Sequence, residues 1–255
     1  MRPKGLTIHP IAVLAMVASA LGSIGAAASQ AQSASAKAEA PIDLTGYWVS
    51  IIDTDWQWRM VTPAKGDHNM IPITPAAQQR LDSWNPVADE AAGEECRAYG
   101  APGLMRIPGR LHITWRDDNT LKVETDAGNQ VRVLQFVPST VPAATDATWQ
   151  GESAAHWDMA TGNKADNNAP KYGSLHVITT HLRPGYLRKN GVPYSAGTVL
   201  TEDWDLIKES DGTEWLVILT NVADPAYLQM PWITSLVFKR ELDGAKFDPS
   251  ACSAR

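Results

Sequence analysis

The sequence predicts a mainly β protein, an antiparallel barrel or strongly curved sheet of about nine strands with one short helix. Apolar and polar residues alternate over many short segments, as they do in strands with one buried face. Turn residues such as Asp117-Asp118-Asn119 and Asp211-Gly212 separate these segments. Helical patterns do not alternate with the strands, which favours antiparallel pairing. So many strands in one domain favour a barrel, because a barrel has no open edges.

The first elements are predicted from strand and capping signals. A strand is predicted over 43–52, where β-favouring residues follow a glycine and two aromatic residues. The helix is predicted over 76–84, because Thr74 can cap it and Pro75 suits its first turn. Residues 89–108 contain several glycines and are predicted to form a loop.

The remaining strands are predicted from alternation and from the turns that separate them. A polar insert over 160–171 is predicted to be a surface loop. The predicted strand ranges are 111–115, 121–124, 130–137, 148–157, 174–182, 198–208, 213–222 and 232–241.

The amino terminus has the pattern of a secretory signal peptide over 1–28. Two basic residues precede an apolar run over 11–24, and alanines follow it. The run of about 14 residues is shorter than the roughly 20 that a membrane span needs. We therefore expect a periplasmic or secreted protein without a membrane span, with a flexible leader over 29–41 and a single domain over 42–255.

Composition and motifs exclude several classes of partner. The chain has 22 Lys and Arg against 28 Asp and Glu, without basic clusters, which disfavours nucleic acid or anionic lipid as a partner. It has no phosphate-binding glycine loop or dinucleotide fingerprint, so no cofactor is predicted. It also lacks metal-ligand spacings such as H-x-H or C-x-x-C, and the prediction for metal is none. The sequence makes no prediction of oligomeric state.

The two cysteines, Cys96 and Cys252, are expected to form a disulfide bond, because export places them in an oxidising compartment. The alternative is two free thiols, one of them on a loose tail. In the chain-entropy model, a loop this long would contribute up to roughly 4 to 5 kcal/mol to stability.

Two resemblances accompany these patterns. Gly46-Tyr47-Trp48 resembles the G-x-W start of lipocalin-like barrels, in which the tryptophan closes the barrel floor. Most of the mature domain resembles a group of exported, uncharacterised bacterial proteins, and this implies a fold and a location without a particular reaction. The segments that carry this resemblance are Met105-Arg106-Ile107-Pro108-Gly109-Arg110, Thr148-Trp149-Gln150-Gly151-Glu152-Ser153, Tyr194-Ser195 and Asp224-Pro225.

Glu202 is the candidate acid or base. Strand alternation places it on one face with Leu200, Trp204 and Leu206. A buried carboxylate costs several kcal/mol unless it is paired or hydrogen-bonded. It is predicted either to form a structural ion pair or to act with His181 as an acid–base pair. The candidate partners are His181, Arg183, Arg188, Arg106, Arg110 and Arg132.

The segment over 180–195 is the candidate binding loop. It is densely polar, and its prolines and glycines predict an ordered turn. It is either a solvated loop or a binding loop at a barrel mouth. Most tryptophans are expected to fill the core, while a few line a ligand. The candidate ligand-binding residues are Arg183, Tyr186, Arg188, Trp204, Arg106 and Arg110.

Three functions are compatible with these patterns. The first is a barrel that binds a small apolar or aromatic ligand with a polar or anionic group. The second is a cofactor-independent lyase, isomerase or hydrolase that uses Glu202 and His181. The third is a structural protein with a filled barrel. An unpaired arginine in a cavity would favour binding, a Glu202–His181 hydrogen bond would favour catalysis, and a filled interior would favour the structural role.

The mature amino terminus is predicted to lie between Ser29 and Lys37, because small-residue cleavage sites end at Ala28, Ala31 and Ala36. Mass spectrometry of the exported protein measures this directly. An exported product that retains residues 1–24 would contradict the prediction.

Overall fold

Nine strands close into a barrel in the computed structural model, which describes residues 34–136, 146–160 and 172–255. Around the barrel their order is β1-β11-β10-β9-β6-β5-β4-β3-β2, and β7 with β8 forms a separate hairpin. The predicted mainly β barrel is confirmed. The strand bounds are β1 Gly46–Ile51, β2 Arg110–Asp117, β3 Thr120–Thr125, β4 Val131–Gln135, β5 Glu152–Met159, β6 Gly173–Thr180, β7 Gly185–Tyr186, β8 Pro193–Tyr194, β9 Val199–Lys208, β10 Glu214–Ala223 and β11 Trp232–Glu241.

One strand pair makes the barrel mixed rather than fully antiparallel. β4 and β5 run parallel and pair Leu134 with Ser153 and Gln135 with Ala154. The other neighbouring pairs of the barrel are antiparallel. Parallel neighbours need a connection of a dozen or more residues, and β4 ends at Gln135 while β5 begins at Glu152, which satisfies that requirement in sequence length. The prediction of antiparallel pairing is therefore wrong for β4 and β5.

Side chains of alternating residues fill the barrel interior. Each large apolar side chain that is fully buried contributes roughly 1.5 to 3 kcal/mol. Trp48, Trp204 and Phe238 are among the largest buried side chains. The interior cluster consists of Leu44, Trp48, Met105, Leu111, Ile113, Leu121, Val123, Leu134, Ala155, Leu175, Val177, Trp204, Leu216, Ile218, Leu236 and Phe238.

Trp48 is held where β1 closes the barrel. Its indole Nε1 donates to the Leu44 carbonyl at 3.0 Å. The Arg240 guanidinium lies 4.2 Å from the centroid of the Trp48 ring and donates to the Thr45 carbonyl. Gly46 has a φ of 110°, and a Cβ there would lie 2.8 Å from Arg240 Nη1. A glycine at this position therefore allows the close approach of the arginine.

Five short helices precede or connect the strands of the described chain. The capping of α3 is confirmed, since Thr74 Oγ1 accepts from the Ala77 amide at 3.2 Å. The loop predicted over 89–108 is wrong, because part of α4, a 3₁₀ turn and α5 lie there. Helices this short have too little periodicity to be recognised and depend on tertiary contacts. The helix bounds are α1 Ala36–Glu39, α2 Trp56–Arg59, α3 Pro75–Asp82, α4 Pro86–Ala91 and α5 Ala101–Leu104, with 3₁₀ turns at Glu95–Tyr99 and Ala127–Asn129.

The described part of the predicted leader contacts the barrel. Residue 34 begins the compact unit that continues to the end of the chain. The Ala36 amide donates to Asn119 Oδ1 at 2.9 Å, and Trp157 Nε1 donates to the Ala36 carbonyl at 2.8 Å. These hydrogen bonds join α1 to β5 and to the turn between β2 and β3. The predicted signal peptide and residues 161–171 of the predicted surface loop lie outside the described residues.

Cys96 and Cys252 form the expected disulfide bond, with their Cα atoms 5.1 Å apart. The bond joins the 3₁₀ turn at Glu95–Tyr99 to the carboxyl-terminal segment. The Ser250 amide also donates to the Asp126 carbonyl at 2.8 Å. None of the helices in the described ranges is long and apolar enough to cross a membrane.

A fully buried ion pair interrupts the apolar interior. Glu202 Oε1 accepts from Arg132 Nη1 at 3.0 Å, and Oε2 accepts from Nη2 at 2.5 Å. Both side chains have no exposed surface. Arg132 Nη2 also donates to Thr179 Oγ1 at 3.3 Å, and this hydroxyl lies 2.8 Å from Ser153 Oγ. Arg132 is therefore the hydrogen-bonded counterion of Glu202, the carboxylate that the strand pattern places on the apolar face.

Glu202→Gln is expected to lower the free energy of unfolding by about 3 to 5 kcal/mol, because the Arg132 charge is left buried without a counterion. The double variant Arg132→Met with Glu202→Leu removes both charges and is expected to match or exceed wild-type stability. Urea denaturation with the disulfide intact measures both changes. A Glu202→Gln protein as stable as wild type would contradict a structural role for the pair.

Candidate functional site

Three buried arginines line one cavity of about 280 Å³. Arg59, Arg106 and Arg188 are only 8%, 6% and 5% exposed. They come from three separate parts of the chain: the last residue of α2, the segment after α5 and the turn between β7 and β8. We call this cavity the arginine pocket.

α2 positions Arg59 at the pocket. Asp55, the residue before the helix, has a φ of 54°. It is in the left-handed region, which aspartate adopts more readily than most residues. Arg59 Nε donates to the Arg106 carbonyl at 3.0 Å. Trp58 Nε1 donates to Asp67 Oδ2 at 3.2 Å. These bonds join α2 to the segment after α5, which contains Arg106, and to the segment after α2 itself, which contains Asp67.

The β7–β8 hairpin positions Arg188 in its turn. The Leu187 amide donates to the Val192 carbonyl at 2.7 Å, and the Gly191 amide donates to the Arg188 carbonyl at 3.1 Å. Gly191 has a φ of 88°, and a Cβ there would lie 2.2 Å from the Trp84 ring. Only glycine meets both conditions, so this turn has a defined shape.

Two contacts fix the hairpin against the other walls of the pocket. Asn190 Nδ2 donates to the carbonyls of Ala64 at 3.0 Å and Asp67 at 2.7 Å. Gly103 of α5 lies so close to the hairpin that a Cβ would be 2.9 Å from the Tyr186 carbonyl oxygen. The pocket walls are therefore joined through backbone groups as well as through packed side chains.

The guanidinium groups of the pocket have few acceptors. Arg106 Nη2 donates to Asp55 Oδ2 at 2.7 Å. Six other nitrogens have no hydrogen-bond partner in the described part of the chain: Nη1 and Nη2 of Arg59, Nη1 of Arg106, and Nε, Nη1 and Nη2 of Arg188. A buried cation without acceptors is costly. Because these nitrogens are themselves buried, the side chains must rotate towards the cavity before an anionic ligand provides the acceptors that the protein does not.

Burial lowers the pKa of all three arginines, and the positive charge of Arg106 lowers the pKa of the other two further. Desolvation, followed by the charge of Arg106, lowers the pKa of Arg59 and of Arg188 to about 10. Asp55 acts in the opposite direction on both, with Asp53 on Arg59 and Asp67 on Arg188. Burial also lowers the pKa of Arg106, against the effect of Asp55. All three groups remain charged at neutral pH, at a cost in stability.

Aromatic and apolar side chains accompany the cations. The Arg188 guanidinium lies 5.2 Å from the Trp58 ring centroid, and that of Arg106 lies 4.7 Å from the Trp232 ring centroid. Such cation–π contacts stabilise a buried cation in part. The apolar lining residues are Met60, Val61, Pro63, Ala98, Ile107, Pro108 and Leu187. The pocket therefore combines positive charge with apolar walls.

The structure brings together two of the predicted ligand-binding residues, Arg106 and Arg188. It adds Arg59, which the sequence reasoning did not select. The segment Trp56-Gln57-Trp58-Arg59 was the available signal, since aromatic residues beside an arginine are a common feature of binding sites.

The other predicted ligand-binding residues lie elsewhere. Arg183 pairs with Glu94 and lies 4.5 Å from the Trp149 ring centroid. Arg110 Nε donates to Glu241 Oε2 at 2.8 Å. Trp204 is fully buried in the barrel interior. These side chains are therefore not in position to contact a ligand in the arginine pocket.

Tyr186 lines a second cavity of about 560 Å³. Its hydroxyl donates to Asp89 Oδ2 at 2.9 Å and accepts from Arg97 Nη1 at 3.3 Å. Arg97 itself pairs with Asp89 and Glu94. Arg97 is about a third exposed and already has two carboxylate partners, which distinguishes this cavity from the arginine pocket.

The proposed acid–base residues are not brought together. Both carboxylate oxygens of Glu202 accept from Arg132. His181 is exposed and lies just after β6 with a φ of 55°. It is not a hydrogen-bond partner of Glu202, and this geometry gives the acid–base hypothesis no support.

Comparisons of the chain with protein-family models, with curated proteins and with solved structures found no match. Function must therefore be inferred from the geometry of the site.

Arg188→Met is expected to leave the melting temperature equal to or above that of wild type in buffer without candidate ligands. The substitution keeps an unbranched apolar stem and removes a buried charge that lacks acceptors. Differential scanning calorimetry measures the change. A large fall in melting temperature would show instead that Arg188 is needed for folding.

Proposed function

We propose that this protein is an exported binding protein for a small anionic molecule with an apolar or aromatic part, and that the ligand occupies the arginine pocket. The observation that carries the proposal is the set of three buried guanidinium groups with six unpartnered nitrogens among the described residues. Charge-assisted hydrogen bonds from these groups to one anion would offset the cost of burying them.

The chemistry of the lining defines the ligand class. Planar guanidinium groups match the paired oxygens of a carboxylate, phosphate or sulfate group. A volume of about 280 Å³ is at the lower end of small-molecule sites. The apolar walls and Trp58, which lines the pocket, suit an aryl or short alkyl group attached to the anion.

Binding is favoured over catalysis by what lines the pocket. Among the described residues, those that line the pocket include no His, Cys, Asp or Glu that could act as a nucleophile or as an acid–base pair near neutral pH. The filled barrel interior agrees with a scaffold role for the barrel itself. In this proposal the ligand lies outside the barrel interior, and the barrel holds the surrounding segments in place.

The exported location is part of the same proposal. The signal-peptide pattern over 1–28 supports it, and the Cys96–Cys252 bond is compatible with an oxidising compartment. The Gly46-Tyr47-Trp48 start supports a relationship with lipocalin-like barrels, whose members it resembles at these residues.

Isothermal titration calorimetry with benzoate and phenyl phosphate tests the proposal, with benzyl alcohol as the neutral comparison. We expect an anion to bind and the alcohol not to bind. Arg59→Gln and Arg188→Gln should each weaken binding at least about tenfold, because a charged hydrogen bond contributes roughly 1.5 to 3 kcal/mol. Arg110→Gln is the matched control, since Arg110 pairs with Glu241 away from the pocket.

The affinity is also expected to depend on pH in one direction. It should be constant between pH 7 and 9 and fall as the pH rises through about 10, because Arg59 and Arg188 lose their protons there. Equal affinity for benzoate and benzyl alcohol, or unchanged affinity in both pocket variants, would contradict the proposal.

A further inference from the structure

The outer face of the barrel carries two histidines and two aspartates on three adjacent strands. His156 on β5 lies directly opposite His176 on β6. His176 in turn lies opposite Asp203 on β9. Their chain neighbours Ala155, Val177 and Glu202 are buried inside the barrel. Because side chains alternate along a strand, His156, His176 and Asp203 project outward.

The donor atoms of this group lie close together. His176 Nδ1 is 2.6 Å from Asp203 Oδ1, and His156 Nε2 is 3.1 Å from Asp158 Oδ1. The two imidazole rings have centroids 4.8 Å apart. One donor atom from each of Asp158, His176 and Asp203 lies within 4.8 Å of the others. Asp158, His176 and Asp203 therefore form one cluster, and His156 adjoins it through its contact with Asp158 and the packing of its ring against His176.

We propose that His156, Asp158, His176 and Asp203 form a binding site for a divalent transition-metal ion, of which Zn²⁺ is the best match. Zn²⁺ takes four ligands from imidazole nitrogens and carboxylate oxygens at about 2.0 to 2.2 Å. A tetrahedral arrangement at those distances separates the ligand atoms by roughly 3.3 to 3.6 Å. Small rotations of partly exposed side chains are enough to reach that spacing.

The donor set distinguishes Zn²⁺ from the hard cations. Ca²⁺ and Mg²⁺ prefer six or more oxygen ligands, whereas two of the four donors here are imidazoles. The charge of the face also favours a cation. Asp205 lies two residues after Asp203 on β9, so its carboxylate is on the same face of the strand. This crowding of acidic groups would be relieved by a bound cation.

The site is independent of the arginine pocket, with which it shares no residue. Strand pairing places donors from β5, β6 and β9 on a closed, twisted sheet whose interior is filled. Metal ligands on strands of a rigid scaffold are held more accurately than ligands on loops. The site could therefore bind metal in the presence or absence of the anionic ligand.

Calorimetric titration of the full chain, without a polyhistidine tag, with ZnCl₂ in a non-chelating buffer tests this proposal. We expect one Zn²⁺ per chain and no comparable binding of Mg²⁺. The double variant His156→Gln with His176→Gln should weaken Zn²⁺ binding at least about tenfold, and Asp203→Asn should weaken it in the same direction. Far-UV circular dichroism checks that each variant is folded.

His112→Gln is the matched control. His112 on β2 also pairs with a carboxylate, Glu124 Oε2 at 3.0 Å, but it stacks on Tyr47 rather than on a second histidine. This variant should bind Zn²⁺ as wild type does. Failure of the wild type to bind Zn²⁺ specifically, or unchanged affinity in both the double variant and Asp203→Asn, would overturn the proposal.

Discussion

The closure of the barrel at β1 is the constraint on which the remaining structure depends. This strand pairs with β2 on one side and with β11 on the other, and thereby removes both open edges of the sheet. Trp48 at its centre is fully buried beneath the Arg240 guanidinium. Large buried side chains, among them Trp48, Trp204 and Phe238, occupy the interior of the closed sheet. The sites that we propose therefore lie outside the interior, on the outer face and on segments mounted around the barrel.

The cost of burying charge separates the structural arginine from the binding arginines. Arg132 has both carboxylate oxygens of Glu202 as acceptors for its two terminal nitrogens, so the charge of this interior cation is balanced by a counterion. Arg59 and Arg188 are almost as buried, yet their terminal nitrogens have no acceptor in the described chain. In the barrel interior, the carboxylate of Glu202 offsets the cost of burying an arginine. In the arginine pocket, we propose that an anionic ligand offsets this cost. Natural proteins tolerate such a cost chiefly where it serves function.

The candidate residues show how far sequence reasoning reaches. Alternation over 200–206 predicts that Glu202 faces the core, and a buried carboxylate predicts a cationic partner. The identity of that partner is a tertiary fact, because Arg132 lies 70 residues away on a different strand. Arg188 is a candidate because its turn is rich in glycine and proline. Arg59 is indicated only by the tryptophans beside it, since a four-residue helix has no periodicity to reveal which side it buries.

The sequence by itself determined the mainly β architecture, most strand positions, the cap of α3 and the pairing of its two cysteines. These features depend on local alternation, turn residues and composition, which can be recognised in the sequence without knowledge of long-range contacts. The tertiary structure alone decided which distant side chains meet. His176 and Asp203 are 27 residues apart and become neighbours only through the register of β6 with β9. The three pocket arginines likewise meet only because the barrel brings separate connecting segments to one place, and contact between residues far apart in sequence leaves no local pattern.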